Sequence, residues 1–99
     1  MITFVRSLTV QPGKIGEAVG WGKELVGIVK RVTGKDLALC TSFGGAIGAL
    51  AWIGHYDSMA QIEDMLAKLM ADREYLAAIG KAGQLAVPGS GHDQFWRHT

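Results

Sequence analysis

The order of strand-like and helix-like segments constrains the fold of this chain more than any other feature of its sequence. Alternation of apolar and polar residues is typical of strands, and a period near 3.6 residues is typical of helices. The predicted strands are Ile2–Val10, Leu37–Phe43, Ile47–Tyr56 and Gln94–His98, and the predicted helical regions are Lys14–Val32 and a segment from Ser58 to about Leu85. The resulting order is β-α-β-β-α-β.

This order predicts a ferredoxin-like α+β domain, in which a four-stranded antiparallel sheet carries its helices on one face. The chain has 99 residues, so we expect a single domain spanning residues 1–99. The other face of the sheet is left uncovered by this arrangement. Because 48% of the residues are apolar, a high share for so short a chain, we expect a second copy to cover that face as a homodimer.

The first strand places one charged side chain on an otherwise apolar face. Ile2, Phe4, Arg6, Leu8 and Val10 share this face by alternation. A charge in such surroundings needs a partner. Two interpretations stay open for Arg6: a salt bridge, either to Asp93 or to an acid across the dimer, or contact with an anionic or enolate-like ligand.

The third strand separates its residues by size. Ile47, Ala49, Ala51 and Ile53 are small or β-branched, which predicts the face that packs against the helices. Leu50, Trp52 and Tyr56 lie on the opposite face with Gly48 and Gly54, a pattern typical of a cavity wall or an interface. Trp52 and Tyr56 are therefore either contacts of an aromatic ligand or part of the dimer core.

Local signals predict how the elements begin, end and approach one another. Gly22 lies on the apolar stripe of the first helix, which predicts close approach to the sheet. Ser58 and Gln61 have the spacing of a capping box at the start of the second helical region. That region loses its apolar register at Ala71–Arg73, which predicts a break, and Gly44-Gly45-Ala46 predicts a hairpin between the second and third strands.

Composition excludes several classes of function. The net charge of +1 gives no electrostatic basis for binding nucleic acid. No apolar stretch approaches the roughly 20 residues of a membrane span, and Arg6 interrupts the first apolar run, so we expect a cytoplasmic protein without membrane contact. Cys40 is the only cysteine; it can form no internal disulfide, and its strand neighbours predict a buried position.

Histidines offer no predicted metal or haem site. His55, His92 and His98 lack metal-ligand spacing, and neither helical region contains a histidine that could bind haem iron. We therefore expect no metal and no cofactor. His55 is a candidate general base because imidazole titrates near neutral pH, but its place near a strand end also fits a surface or capping role.

With these residues identified, the chain resembles the dimeric α/β-barrel superfamily and, within it, most closely the NIPSNAP-like proteins. The resemblance rests on Arg6-Ser7-Leu8-Thr9-Val10-Gln11-Pro12-Gly13-Lys14, on Tyr56-Asp57-Ser58-Met59, and on a short last strand opened by an acid, Asp93. The Pro-Gly-Lys turn is also found in antibiotic-biosynthesis monooxygenase relatives. The family's tryptophan two residues before the tyrosine is Gly54 here, and a bulky aromatic stands at Trp52 instead.

The resemblance implies a homodimer whose two sheets close a barrel with the helices outside. It also implies a choice of functions, since the superfamily includes cofactor-free monooxygenases acting on polycyclic phenols as well as proteins of unknown activity. One hypothesis is a monooxygenase-like enzyme, in which Arg6 stabilises the enolate of an aromatic or polyketide-like substrate held near Trp52 and Tyr56. The alternatives are a non-catalytic protein that binds small molecules or is associated with stress, and a purely structural dimer module.

Overall fold

The structure, a computed structural model, describes residues 1–45 and 47–99 and confirms the predicted order of elements. The four strands are β1 (Ile2–Thr9), β2 (Ala38–Thr41), β3 (Ala49–Tyr56) and β4 (His92–Arg97). The helices are α1 (Ile15–Thr33), α2 (Met59–Met70), α3 (Arg73–Ile79) and the single turn α4 (Ala82–Leu85). None of the helices in the described ranges is long and apolar enough to cross a membrane.

The strands form one antiparallel sheet in the order β2-β3-β1-β4, which is the predicted ferredoxin-like α+β fold. In the two central strands Arg6 pairs with Trp52 and Phe4 pairs with Gly54. Strand β2 is shorter than the predicted Leu37–Phe43. The hairpin signal at Gly44-Gly45-Ala46 includes Ala46, which lies outside the described residues, while β2 and β3 on either side of it pair as antiparallel neighbours.

Helix α1 approaches the sheet closely at Gly22, as predicted. A Cβ atom at this position would lie 3.0 Å from both terminal methyl groups of Leu39 and 3.3 Å from Leu50. Glycine is the residue that allows this approach, because it places no side chain between the helix backbone and the sheet. The helix ends at Gly34, whose φ of 77° is left-handed and whose N–H donates to the carbonyl of Lys30.

The second helical region begins at a cap and breaks where the sequence predicts. Ser58 Oγ accepts a hydrogen bond from the N–H of Gln61, but the Gln61 side chain accepts from Asp57 instead of Ser58, so the capping box is only half formed. At the break the Asp72 carboxylate caps α3 by accepting from the N–H of Tyr75. Arg31, at the end of α1, binds Asp72 at 2.9 Å and so connects the break to α1.

The prediction of which β3 face meets the helices is wrong. Leu50, Trp52 and Tyr56 are buried beneath the helices, whereas Ala51 and Ile53 lie on the open face and are only half buried. The prediction was based on residue size, because small side chains allow a helix to pack tightly on the sheet. Here the helices stand away from the sheet over much of its length, and long aromatic side chains line the gap. The predicted dimer-core role of Trp52 and Tyr56 is wrong for the same reason.

The predicted burial of Cys40 is also wrong. Cys40 pairs with Ala51 in the sheet and shares its open face, where the thiol is exposed. Its neighbour Leu39 is the residue that points toward α1. Side chains alternate between the two faces of a strand, and the four-residue edge strand β2 is covered on one face only. Cys40 lies on the uncovered face.

We predict opposite effects for the same substitution at two glycines of α1. Gly22→Leu overfills the contact with Leu39 and Leu50, so the free energy of unfolding falls by about 1–3 kcal/mol. Gly27 is exposed in the middle of the helix, and no atom lies within 4 Å of the position its Cβ would take. Gly27→Leu therefore raises the free energy of unfolding by about 0.5–1 kcal/mol. Urea unfolding of both variants measures the two values. Stabilisation by Gly22→Leu would show that α1 does not need this close approach.

Candidate functional site

A largely apolar cavity of about 410 Å³ lies between the sheet and the helices. Strands β1 and β3 provide its floor, α1, α2 and α3 provide its roof, and the beginning of β4 provides one end. Its lining includes Phe4, Arg6, Leu8, Trp21, Leu25, Val29, Leu37, Trp52, Gly54, Tyr56, Met65, Leu66, Leu69, Tyr75, Ile79, His92 and Asp93. Its size and lining are typical of a pocket for a small organic molecule.

Two tryptophans form one wall of the cavity with their polar atoms already satisfied. The Trp52 indole N–H donates to the carbonyl of Gly22 at 3.2 Å, and the Trp21 indole N–H donates to the carbonyl of Ala78 at 2.8 Å. The two rings meet edge to face, with their centroids 5.5 Å apart. Because each indole is held by a hydrogen bond and by the other ring, the wall is rigid and presents only apolar surface.

Tyr56 lies at the inner end of the cavity and is only 2% exposed. Its hydroxyl group contacts the sulfur atom of Met65 at 3.1 Å. Burial raises the pKa of the Tyr56 phenol, so it stays protonated and acts as a hydrogen-bond donor at neutral pH. Thioether sulfur is a weak acceptor, which leaves this donor poorly satisfied.

Arg6 and Asp93 form a bidentate ion pair at the other end of the cavity. Arg6 Nε donates to Asp93 Oδ1 at 2.8 Å, and Arg6 Nη2 donates to Asp93 Oδ2 at 2.9 Å. The salt-bridge interpretation of Arg6 is therefore confirmed, and the same side chain also lines the cavity. The side chains are 43% and 36% exposed, so this end of the cavity meets solvent.

The ion pair sets the electrostatics of this polar end. The hydrogen bond from Arg6 lowers the pKa of Asp93, and the same bond raises the pKa of Arg6 against the opposing effect of its partial burial. The Arg6 guanidinium also lies 5.4 Å from the centre of the Phe4 ring, within cation–π range. Both groups are therefore ionised at neutral pH, and the pair has no net charge.

The structure does not bring His55 to this cavity. His55 is exposed on the open face of the sheet, where its Nδ1 lies 3.0 Å from the hydroxyl oxygen of Thr3. His98 Nε2 lies 2.6 Å from the same hydroxyl oxygen. The candidate residues thus fall into two groups: Arg6, Trp52 and Tyr56 line one cavity, and His55 lies on the other side of the sheet, too far around it to act as a base there.

Two cavity residues were missed by the sequence reasoning. Trp21 is buried because the inward face of α1 includes Trp21 and Ile28 together with Ala18, Gly22 and Leu25. Tyr75 lies in the cavity near Arg6, because the break at Asp72 lets α3 turn its first residues inward. A tryptophan three residues after Ala18 and four before Leu25 was an available signal, since both spacings share one helix face.

The described residues contain no group of three or more His, Cys, Asp or Glu side chains placed to hold a metal ion. The lining residues with ionisable side chains are Arg6, Tyr56, Tyr75, His92 and Asp93, and alternation along β4 directs the His92 side chain to the open face of the sheet. This arrangement can accept a planar apolar molecule and donate hydrogen bonds to its oxygen atoms at either end. Asp93 is the carboxylate within the lining, and its bond to Arg6 makes it a weak base.

Solved structures with the same fold are numerous, but none of those compared below shares a quarter of its residues with this chain. A NIPSNAP domain protein from Burkholderia xenovorans matches with a TM-score of 0.85 and 17% identity over 100% of this chain and 95% of its own. A NIPSNAP family protein from Agrobacterium tumefaciens matches with a TM-score of 0.84 and 20% identity over 99% and 92%. An antibiotic biosynthesis monooxygenase matches with a TM-score of 0.70 and 13% identity over 100% and 99%.

These matches confirm the predicted resemblance at the level of the fold. The chain has the fold of the NIPSNAP-domain proteins, which is shared at a lower score by the monooxygenase. No protein-family model matches the sequence, and no curated protein matches it either. At such low identities the likeness carries no activity with it, and the site must be judged from its own residues.

We predict that the contribution of Asp93 to stability is lost in acid. Because the folded-state pKa of Asp93 is lowered from 3.8, the stabilisation is present above that value and disappears as the pH falls through the lower folded value. Both side chains are more than a third exposed, so screening limits the effect to less than about 1 kcal/mol. Urea unfolding should show wild type more stable than Asp93→Asn at neutral pH and equal to it in strong acid.

Asp36→Asn is the matched control, since Asp36 pairs with Lys30 but its side chain is 87% exposed. We expect a smaller difference there at neutral pH. A difference between wild type and Asp93→Asn that persists unchanged into strong acid would contradict the assigned role of the carboxylate.

Proposed function

We propose that this chain binds a planar, largely apolar aromatic molecule in the cavity between its sheet and helices, with an oxygen atom of the ligand facing Arg6. The observation that carries this proposal is the lining itself: about 410 Å³ enclosed mostly by aromatic and aliphatic side chains, with one ion pair at the end that meets solvent. Such a site binds by apolar contact and orients its ligand through few polar groups.

The aromatic walls favour a flat ligand. The edge-to-face pair of Trp21 and Trp52 presents apolar surface to the cavity, and so does Phe4, whose ring is held by stacking on Phe95 with a centroid distance of 4.6 Å. Aromatic rings pack well against such surfaces in offset or edge-on geometry. Apolar contact with these walls supplies most of the affinity, at roughly 25 cal/mol for each Å² of apolar surface removed from water.

Arg6 selects the polar end of the ligand. A guanidinium carries five N–H donors, and Asp93 takes two of them. The remaining donors are able to meet a carbonyl or phenolic oxygen. Because Asp93 already neutralises the charge of Arg6, the site favours a neutral carbonyl compound or phenol over a carboxylate, whose negative charge would meet Asp93 as well.

A second candidate function is cofactor-free oxygenation of such a ligand. The structural likeness to an antibiotic biosynthesis monooxygenase favours it, and Arg6 is placed to stabilise negative charge on an enolate oxygen. In this reaction a ring CH₂ group and O₂ give a ring carbonyl and water, so the substrate supplies all four electrons. Its first step removes a proton from carbon. Asp93 is the carboxylate in the lining, and its hydrogen bond to Arg6 makes it a weak base for that step.

We predict that 1-naphthol raises the melting temperature of the protein and that Arg6→Met abolishes most of this shift, because the variant cannot donate to the ligand oxygen. Differential scanning fluorimetry across a ligand series measures the shift. An oxygen electrode, applied to the same samples and to ligands with an activated ring CH₂ group, separates binding alone from turnover.

Arg31→Met is the matched control, because Arg31 also bridges two carboxylates, Asp72 and Glu74, but lies outside the cavity lining. It should keep the full ligand-induced shift. If Arg6→Met unfolds the protein, Arg6→Lys provides the comparison, since it keeps the charge and loses the bidentate geometry. An equal shift in wild type and a folded Arg6 variant would refute the role of Arg6, and no shift with any aromatic ligand would refute the binding function.

We also propose that the open face of the sheet binds a second copy of the chain. By alternation this face has no Asp, Glu, Lys or Arg side chain within the four strands, which is unusual for a surface that remains in water. Its residues are Thr3, Val5, Ser7, Thr9, Ala38, Cys40, Ala49, Ala51, Ile53, His55, His92, Gln94 and Trp96. An uncharged face can meet its own copy across a two-fold axis without like-charge repulsion.

We predict that Ile53→Lys makes the protein monomeric at micromolar concentration. Ile53 pairs with Val5 at the centre of the open face, so a lysine there would place two like charges near the axis of the dimer. Sedimentation velocity measures the change in mass. Leu76→Lys, at a 39% exposed position on α3, is the control and should stay dimeric. A monomeric wild-type protein, or a dimeric Ile53→Lys variant, would contradict the proposal.

A further inference from the structure

The Tyr56 hydroxyl is the polar group of the inner cavity whose hydrogen bonding is least complete. Both indole N–H groups of the neighbouring wall donate to backbone carbonyls, at 2.8 and 3.2 Å. Tyr56, by contrast, is 2% exposed and donates only to the thioether of Met65. A buried hydroxyl without a good acceptor carries part of its desolvation cost uncompensated, so a stronger acceptor entering the cavity would relieve that cost.

Gly54 determines where this hydroxyl lies. A Cβ atom on Gly54 would stand 2.7 Å from the Tyr56 hydroxyl oxygen, 2.9 Å from Tyr56 Cε2 and 2.8 Å from Leu37 Cδ2. These distances are too short for a real side chain. The tyrosine ring therefore folds back over Gly54, and both residues line the cavity floor. A larger residue at position 54 would force the hydroxyl out of this place.

We propose that the Tyr56 hydroxyl, positioned by Gly54, selects ligands that carry a carbonyl-type oxygen at their inner end. This inference rests on the proposed binding function and adds a second polar contact to it. On entry of such a ligand the O–H turns from Met65 Sδ to the ligand oxygen. Carbonyl oxygen accepts far better than thioether sulfur, so the exchange favours the oxygenated ligand over its hydrocarbon analogue.

The positions of the two donors define the ligand class more closely. Gly54 pairs with Phe4, which lies two residues from Arg6, so the hydroxyl held over Gly54 and the Arg6 side chain stand at different positions along β1. A ligand that meets both donors therefore carries two acceptor oxygens, as a diketone or a hydroxy-ketone does.

Binding of 9-fluorenone and fluorene tests the inner contact, because the two molecules share one planar shape and differ by one carbonyl group. Equilibrium dialysis measures both affinities for wild type and for Tyr56→Phe. We expect wild type to prefer fluorenone by about tenfold, the value of one net hydrogen bond. In Tyr56→Phe this ratio should fall close to one through weaker fluorenone binding, with fluorene affinity unchanged.

Two further variants separate the contact from general effects on the cavity. Met65→Leu removes the thioether acceptor, so the ratio should rise above that of wild type. Gly54→Ala displaces the Tyr56 ring into the cavity, so both affinities should fall together. An unchanged ratio in Tyr56→Phe would overturn the proposal even if both ligands bind. Failure of wild type to bind either ligand would instead count against the proposed binding function itself.

Discussion

The close contact between α1 and the sheet at Gly22 is the constraint on which the rest of the structure depends. Leu39 and Leu50 approach the helix backbone there, and the Trp52 indole N–H donates to the Gly22 carbonyl. This contact fixes the middle of α1 against the sheet. Directly beside it, the rings of Trp21 and Trp52 meet edge to face between helix and sheet. The cavity exists because helix and sheet touch closely at Gly22, while the layer beside this contact is built from the largest side chains in the chain.

The Arg6–Asp93 pair connects this cavity to the edge of the sheet. Strand β4 is exposed along its whole length, and Phe95 stacks on Phe4 two residue pairs away from the ion pair. The two contacts hold an otherwise weakly covered edge strand against β1. They also form the polar end of the cavity, so the same side chains serve stability and recognition.

Much of this arrangement could be predicted from sequence because it depends on local pattern. Alternation placed Arg6 beside Phe4, glycine on an apolar stripe marked the close approach at Gly22, and the loss of register at Ala71–Arg73 marked the break before α3. The side of the sheet on which Trp52 lies could not be predicted. Alternation says which residues share a face but not which face the helices cover. Residue size suggested that the small side chains face the helices, but the cavity between sheet and helices is lined by large ones. The predicted burial of Cys40 was wrong for a related reason, because an edge strand is covered on one face only.

The three tryptophans occupy surroundings so different that the chain contains its own optical reporters. Trp21 and Trp52 are 6% and 8% exposed and line the cavity, whereas Trp96 is 59% exposed on the open face. The buried indoles emit at shorter wavelengths and respond to what fills the cavity. The exposed indole emits at longer wavelengths and responds to what covers the sheet. Occupation of the interior and coverage of the outer face can therefore be followed as two separate spectral signals in unlabelled protein.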